Sequence, residues 1–227
     1  DPIPNEGIPS TYYLDLVETE INKGVYTNTN IFKSSRLFED SRSDIVAPYM
    51  KKSKSDDTPM VGGLALFDSD KFSGVTLDPN ESVLFNLLDD QKAKVSPHMF
   101  VKVRDDEDPP IENYVSFSVM KNKRKLKLDV KDGKVKGTIH LKLGVEVFEY
   151  PMGNARKHEK WLDKKFSEVL TKDANKVIKK LQKANCDGLS LGLNLHSFHY
   201  GDYKKLKWKE EGYKKADIKV DVEVEVL

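Results

Sequence analysis

Lys134-Val135-Lys136-Gly137-Thr138-Ile139-His140-Leu141-Lys142-Leu143-Gly144-Val145-Glu146-Val147 decides the fold class of this chain. Its apolar positions, Val135, Gly137, Ile139, Leu141, Leu143, Val145 and Val147, recur at every second residue, and the residues between them are mostly polar. A side-chain period of two is that of a strand with one buried and one wet face. Just upstream, Asp132-Gly133 is the strongest hairpin-turn signal in the chain. Before that turn Leu126, Leu128 and Val130 alternate, as do Val115, Phe117 and Val119, and Met99–Val103 reads as a further strand. Beyond, Trp161 to Ala184 sets Phe166, Val169, Leu170, Ala174, Val177, Ile178 and Leu181 at helical spacing against a lysine-rich opposite face. A shorter apolar helix follows Asp187. The chain closes on Ile218, Val220, Val222, Val224 and Val226 in strict alternation. Three strands, a helix and a strand predict an antiparallel sheet of at least four strands packed by the long amphipathic helix, an α+β fold.

Toward the N-terminus, Pro2, Pro4 and Pro9 precede Ser10, which is placed to cap a helix with Tyr13, Leu16, Val17 and Ile21 on one face and Gly24 at its end. A weaker helical stretch falls near Ile31, Phe32, Leu37 and Phe38. Residues 39–58 are polar apart from Ile45–Met50 and are broken by Pro48, so they read as a mobile surface connection. Met60–Phe67 and Phe72–Leu77, joined by Ser69-Asp70, predict a β-hairpin. Asp78-Pro79-Asn80-Glu81 has the form of a helix start, with Asp at the cap, Pro at the first helical position and Glu reaching back. Val83, Leu84, Leu87 and Leu88 supply the stripe that follows. The change of character near Lys94–Pro97 divides the chain into two expected units, a helix and β-hairpin unit over 1–96 and the sheet with its long helix over 97–227.

The 38 basic and 37 acidic residues nearly cancel, which argues against nucleic acid as a partner. One cysteine, Cys186, excludes an internal disulfide. No apolar run approaches the ~20 residues that span a bilayer. The chain opens on Asp1-Pro2-Ile3-Pro4 and reads as a mature or trimmed form, so the sequence does not exclude a targeting or anchoring segment upstream.

The residues offer no catalytic constellation, and no metal or cofactor is predicted. Cys186 has no histidine motif beside it and reads as a small half-buried residue. His98, His140 and His158 are scattered. His196 and His199 stand three apart, but a zinc site needs a further ligand and Cys186 is the only other soft candidate. Gly62-Gly63 lies within a strand, so it reads as a bulge or a close backbone approach, not a phosphate loop. The run Asp105-Asp106-Glu107-Asp108 lacks the alternating ligands of a calcium loop and reads as a solvated linker. The sharpest electrostatic feature is 156–184, with ten basic residues against four acidic ones. Such a face commonly serves only solubility. It also suits an anionic membrane surface or a partner, and Lys164, Lys165, Lys172, Lys176, Lys179, Lys180 and Lys183 are the candidate interaction face.

Gly63 to Leu77, read with Asn80-Glu81-Ser82, resembles the hairpin and helix start of the spore germinant-receptor C-subunit lipoproteins. Lys180-Leu181-Gln182 with Asp187-Gly188-Leu189-Ser190-Leu191-Gly192 resembles that family's long helix ending in a D-x-x-x-x-G turn. Trp208, Tyr213 and Val220–Val226 resemble its aromatic-then-β ending, although the aromatic pair stands here as Tyr203 and Trp208. The similarity runs from about residue 10 to 227, over the family's middle and last domains; the family's first domain and its lipidated cysteine have no counterpart. The resemblance implies a non-enzymatic subunit, lipid-anchored through an N-terminal segment absent from this chain. It would sit on the outer face of the spore inner membrane, acting in assembly and germination signalling beside integral-membrane germinant-receptor subunits. The alternative within the same receptor is a small-molecule module that binds the germinant itself.

Overall fold

The structure, a computed structural model, describes residues 10–28, 42–53, 58–90, 96–105 and 109–227. After helix α1 (Ser10–Asn22), strands β1 (Val46–Lys52), β2 (Pro59–Asp68) and β3 (Lys71–Leu77) form an antiparallel sheet in the order β1-β2-β3. Helix α2 (Pro79–Leu88) leads into a second sheet of β4 (His98–Lys102), β5 (Tyr114–Lys131), β6 (Lys134–Glu149) and β7 (Asp217–Val226), in the order β4-β5-β6-β7. Helix α3 (Glu159–Ala184) and the short α4 (Leu191–Phe198) lie between β6 and β7. The α+β class and the long helix on a four-stranded sheet are as the sequence pattern implies. The helical region expected near Ile31–Phe38 lies outside the described residues.

The hairpin turn forms at Asp132-Gly133, whose φ angles of 51° and 70° place both residues in the left-handed region that a two-residue hairpin loop demands. Inward residues of β6, from Val135 to Val145, are buried, and Leu162, Phe166, Leu170, Ala174, Val177, Ile178 and Leu181 of α3 pack toward the core. The rings of Phe117 and Phe166 meet at 4.7 Å. One pairing differs from the expected antiparallel sheet: β7 runs parallel to β6, with Gly137 beside Ile218 and Val145 beside Val226. The cause is α3, whose 26 residues span about 39 Å and return the chain to the end of the sheet where β6 began.

That arrangement leaves β7 at an edge, and α3 covers it with short polar side chains. The Val226 amide donates to Asp163 Oδ1 at 2.7 Å, Val224 to Ser167 Oγ at 2.9 Å, Val222 to Thr171 Oγ1 at 2.9 Å and Val220 to Asn175 Oδ1 at 3.0 Å. Asn175 Nδ2 also donates to the Val220 carbonyl at 2.7 Å. Four helical residues rise about 6.0 Å and two strand residues about 6.6 Å, so each step along α3 meets the next outward amide of β7. The open edge that would otherwise invite another chain is satisfied from within.

Two local expectations need correction. The stretch 39–58 is not simply a surface connection: Ser43, Asp44, Ile45 and Val46 are buried and β1 is paired along its length with β2. Pro48 is tolerated because β1 is an edge strand. On α1, Val17 and Ile21 pack against the core, whereas Tyr13 is 39% exposed. The start of α2 forms as expected, with the Glu81 amide donating to Asp78 Oδ1 and the Asp78 amide to Glu81 Oε2, both at 2.9 Å. Gly63 is a close approach: its φ is 103° and a Cβ there would lie 2.0 Å from the Leu77 carbonyl oxygen.

Candidate functional site

The seven candidate lysines of α3 do not form one surface. At about 100° per residue, Lys165, Lys172, Lys176, Lys179 and Lys183 share a side of the helix with Trp161, which is 41% exposed. Lys164 projects from the flank nearer β7. Lys180 turns toward α2, where its Nζ donates to Glu81 Oε2 at 2.5 Å and so ties α3 to the capping box. Lys176 pairs with Asp173 at 2.7 Å. The outward side therefore combines cations with one large aromatic ring.

A second constellation lies where α3 ends, and the sequence pattern did not assign it a role. Asn185 takes the left-handed conformation (φ 53°) that Asn adopts readily and turns the chain out of the helix. Two residues on, Asp187 is 2% exposed. Its carboxylate accepts from the amides of Leu191 at 2.9 Å and Gly192 at 2.6 Å, the start of α4, and from Trp208 Nε1 at 2.9 Å. A Cβ on Gly192 would meet the Trp208 ring at 2.5 Å, so the indole can reach Asp187 only past a glycine. The Asp187 amide donates to Asp44 Oδ2 at 2.7 Å, and the Ser69 amide donates to Asp44 Oδ1 at 2.9 Å. Lys209 Nζ bonds to Asp44 and lies 3.0 Å from Asp68 Oδ1. Asn185 Nδ2 donates to Asp68 and to the Lys209 carbonyl at 2.9 Å.

Burial pushes Asp187 up to about 6, against the lowering effect of its three donors. Burial pulls Lys209 down, but Asp44 and Asp68 outweigh it and hold the ammonium above its usual value. The chemistry is that of a clamp: the charges join the loop after α3, the segment before β1 and the β2–β3 turn. Above it opens a cleft of about 580 Å³ walled by Tyr203, Trp208, Asn185 and several lysines. The Asn185 Oδ1 at its base is buried without a hydrogen-bond partner among the described residues.

Cys186 is fully buried, deeper than its half-buried expectation, and burial drives its thiol far above the usual range. The histidines stay apart. His98 meets Ser118 at 2.8 Å, His140 meets Asp221 at 3.2 Å, and His158 bonds to Tyr150. His196 packs against the Tyr200 and Tyr203 rings and meets Arg42 at 3.3 Å. Among the described residues no three metal-ligating side chains converge, and no helix is long and apolar enough to cross a membrane. Asp105 pairs with Lys102 at 2.6 Å, and Asp106 to Asp108 lie outside the described residues. The turn Asp187 to Gly192 was the one signal in the sequence for the clamp; Asp44, Asp68 and Lys209 join it from distant positions that no local pattern connects.

Residues 62–227 match the family described as Spore germination B3/GerAC like, C-terminal, and the chain belongs to that germinant-receptor C-subunit family. It is similar to the Spore germination protein GerQC of Bacillus cereus, 25% identical over 222 residues, which are 96% of this chain and 58% of that protein. Among solved structures it is similar to that of the GerBC protein, with a TM-score of 0.71 at 20% identity, over 90% of this chain and 65% of the other. The chain thus spans less than two thirds of the length of either protein.

Proposed function

We propose that this chain is the larger part of a germinant-receptor C subunit that works by assembly and turns over no substrate. In this reading it sits at the outer face of the spore inner membrane, held by a lipid anchor upstream of the present sequence, and contacts the integral-membrane subunits of the receptor. The family membership over 62–227 carries the reading. The buried, mutually satisfied charges of the clamp support it, since a catalytic group needs access to a reacting atom and Asp187 has none. The side of α3 bearing Trp161 and Lys172, Lys176, Lys179 and Lys183 is the surface we assign to the partner subunits. An exposed aromatic anchor ringed by orienting charge is the composition such contacts favour.

The test is co-purification with the integral-membrane subunits in detergent, comparing the native chain with a variant carrying Trp161→Ala and Lys172→Glu, Lys176→Glu, Lys179→Glu. Loss of co-purification by a variant with an unchanged melting curve is the expected result; retention removes this face of α3 from consideration. The cleft beside Asn185 favours the second reading, a germinant-binding module, because 580 Å³ lies within the size range of small-molecule sites. Calorimetric titration with nutrient germinants separates the two: heat that disappears with Asn185→Leu supports the cleft.

A further inference from the structure

The outer face of the β5–β6 hairpin carries a second concentration of positive charge. Lys121, Lys123, Lys125 and Lys127 of β5 and Lys136 and Lys142 of β6 are exposed on it, on the side opposite the buried Leu128, Ile139 and Leu141. The pairing register sets Lys123 directly across from Lys142 and Lys125 across from His140. Like charges in directly opposed cross-strand positions are unfavourable. Lys121, Lys123 and Lys125 make no ion pair among the described residues, while Lys142 borrows Glu223 of β7 at 2.8 Å. On the same face, toward β4, Met120, Phe148 and Phe100 are 48%, 55% and 54% exposed. Lysines that only guarded solubility would not require large apolar side chains beside them.

We infer that this face docks on an anionic phospholipid bilayer, with the lysines among the headgroups and Met120, Phe148 and Phe100 entering the interfacial layer. Charge complementarity selects the occupant. Every strong cation on the face is lysine; Arg124, the one arginine of the hairpin, lies on the other side under the influence of Asp89 and Asp90. A fluid headgroup layer asks for no fixed geometry and accepts mobile ammonium groups that extend from apolar stems. The acidic residues of β7, Asp221, Glu223 and Glu225, bound the basic band on one side and orient the molecule with β5 toward the membrane. This rests on the reading of the chain as a membrane-side receptor subunit, and it turns the sheet to the bilayer while leaving α3 for protein.

Co-sedimentation with vesicles tests it, using phosphatidylcholine alone and phosphatidylcholine with about a third phosphatidylglycerol, at low and physiological salt. The native chain is expected to bind only the anionic vesicles, and less at the higher salt. The variant Lys121→Gln, Lys123→Gln, Lys125→Gln, Lys127→Gln should lose several hundredfold in partitioning, from roughly fivefold for each of four surface lysines. The variant Lys172→Gln, Lys176→Gln, Lys179→Gln, Lys183→Gln should lose little. Thermal melts confirm that both variants fold. No binding by the native chain at low salt, equal binding by the β5 variant, or loss confined to the α3 variant each overturns the inference. Normal vesicle binding by the β5 variant with failed co-purification in detergent also overturns it, in favour of an acidic protein partner. If the native chain fails to co-purify while vesicle binding follows the β5 lysines, the receptor reading falls and the membrane face stands.

Discussion

Replacing Asn175 by leucine tests whether α3 holds the open edge of β7 through hydrogen bonds or merely rests beside it. Asn175 makes a two-way contact with Val220, accepting from its amide at 3.0 Å and donating to its carbonyl at 2.7 Å, as a neighbouring strand would. Leucine keeps the bulk and removes both partners. Each backbone group left unmade in a buried place costs about 1–3 kcal/mol. Asn175 is half-buried, so the lower half of that range applies and the pair should cost about 2–4 kcal/mol. Asn175→Asp keeps the acceptor and loses the donor, so it should fall between. Thr171→Val is nearly isosteric and removes one good bond, the 2.9 Å contact to the Val222 amide, for about 1 kcal/mol. Urea unfolding reads the totals, and native-state hydrogen exchange reads the positions: Val220 in the first variant and Val222 in the second should lose protection selectively. An Asn175→Leu protein with an unchanged midpoint, or with Val220 exchange no faster than its neighbours, would refute the idea that these side chains stand in for a strand.

Two further outcomes follow from the core and the clamp. Ile178 is 1% exposed, and Ile178→Ala should cost about 2–5 kcal/mol in chemical denaturation through the cavity it leaves; an unchanged stability would mean the helix does not pack as described. Asp187 titrates near 6 in the folded chain, above the ~3.9 of an unfolded aspartate, so the folded form binds the proton more tightly. Stability from this group is therefore complete below about pH 4 and declines as pH rises through about 6, by up to ~3 kcal/mol. Asp187→Asn should abolish that part of the pH dependence between pH 4 and 6.5, and identical slopes for the two proteins would count against the buried ionisation.

How far the sequence could be read depended on whether the deciding contacts were local or distant. The strands of the second sheet, the Asp132-Gly133 turn and the Asp78 capping box were legible because period and turn chemistry are set by residues a few positions apart. Residues 42–52 were not: their polarity suggested a loop, yet Asp44 is buried because Lys209, 165 positions away, supplies its countercharge. The parallel partnership of β6 and β7 was equally out of reach, since alternation in Ile218 to Val226 fixes a buried face and not a direction. The polar residues of α3 carried a signal that went unused. Asp163, Ser167, Thr171 and Asn175 stand four apart on a helix, although short polar side chains are weak helix formers that compete for backbone bonds. Four such residues in register cost local stability and need a reason, and the unpaired amides of β7 are that reason. The lysines divide in the same way. A run of them on α3 was visible as composition, while those of β5 and β6 were hidden as the wet positions of alternating strands. Only the pairing register, by setting Lys123 against Lys142, shows that the cations of two separate strands form one surface.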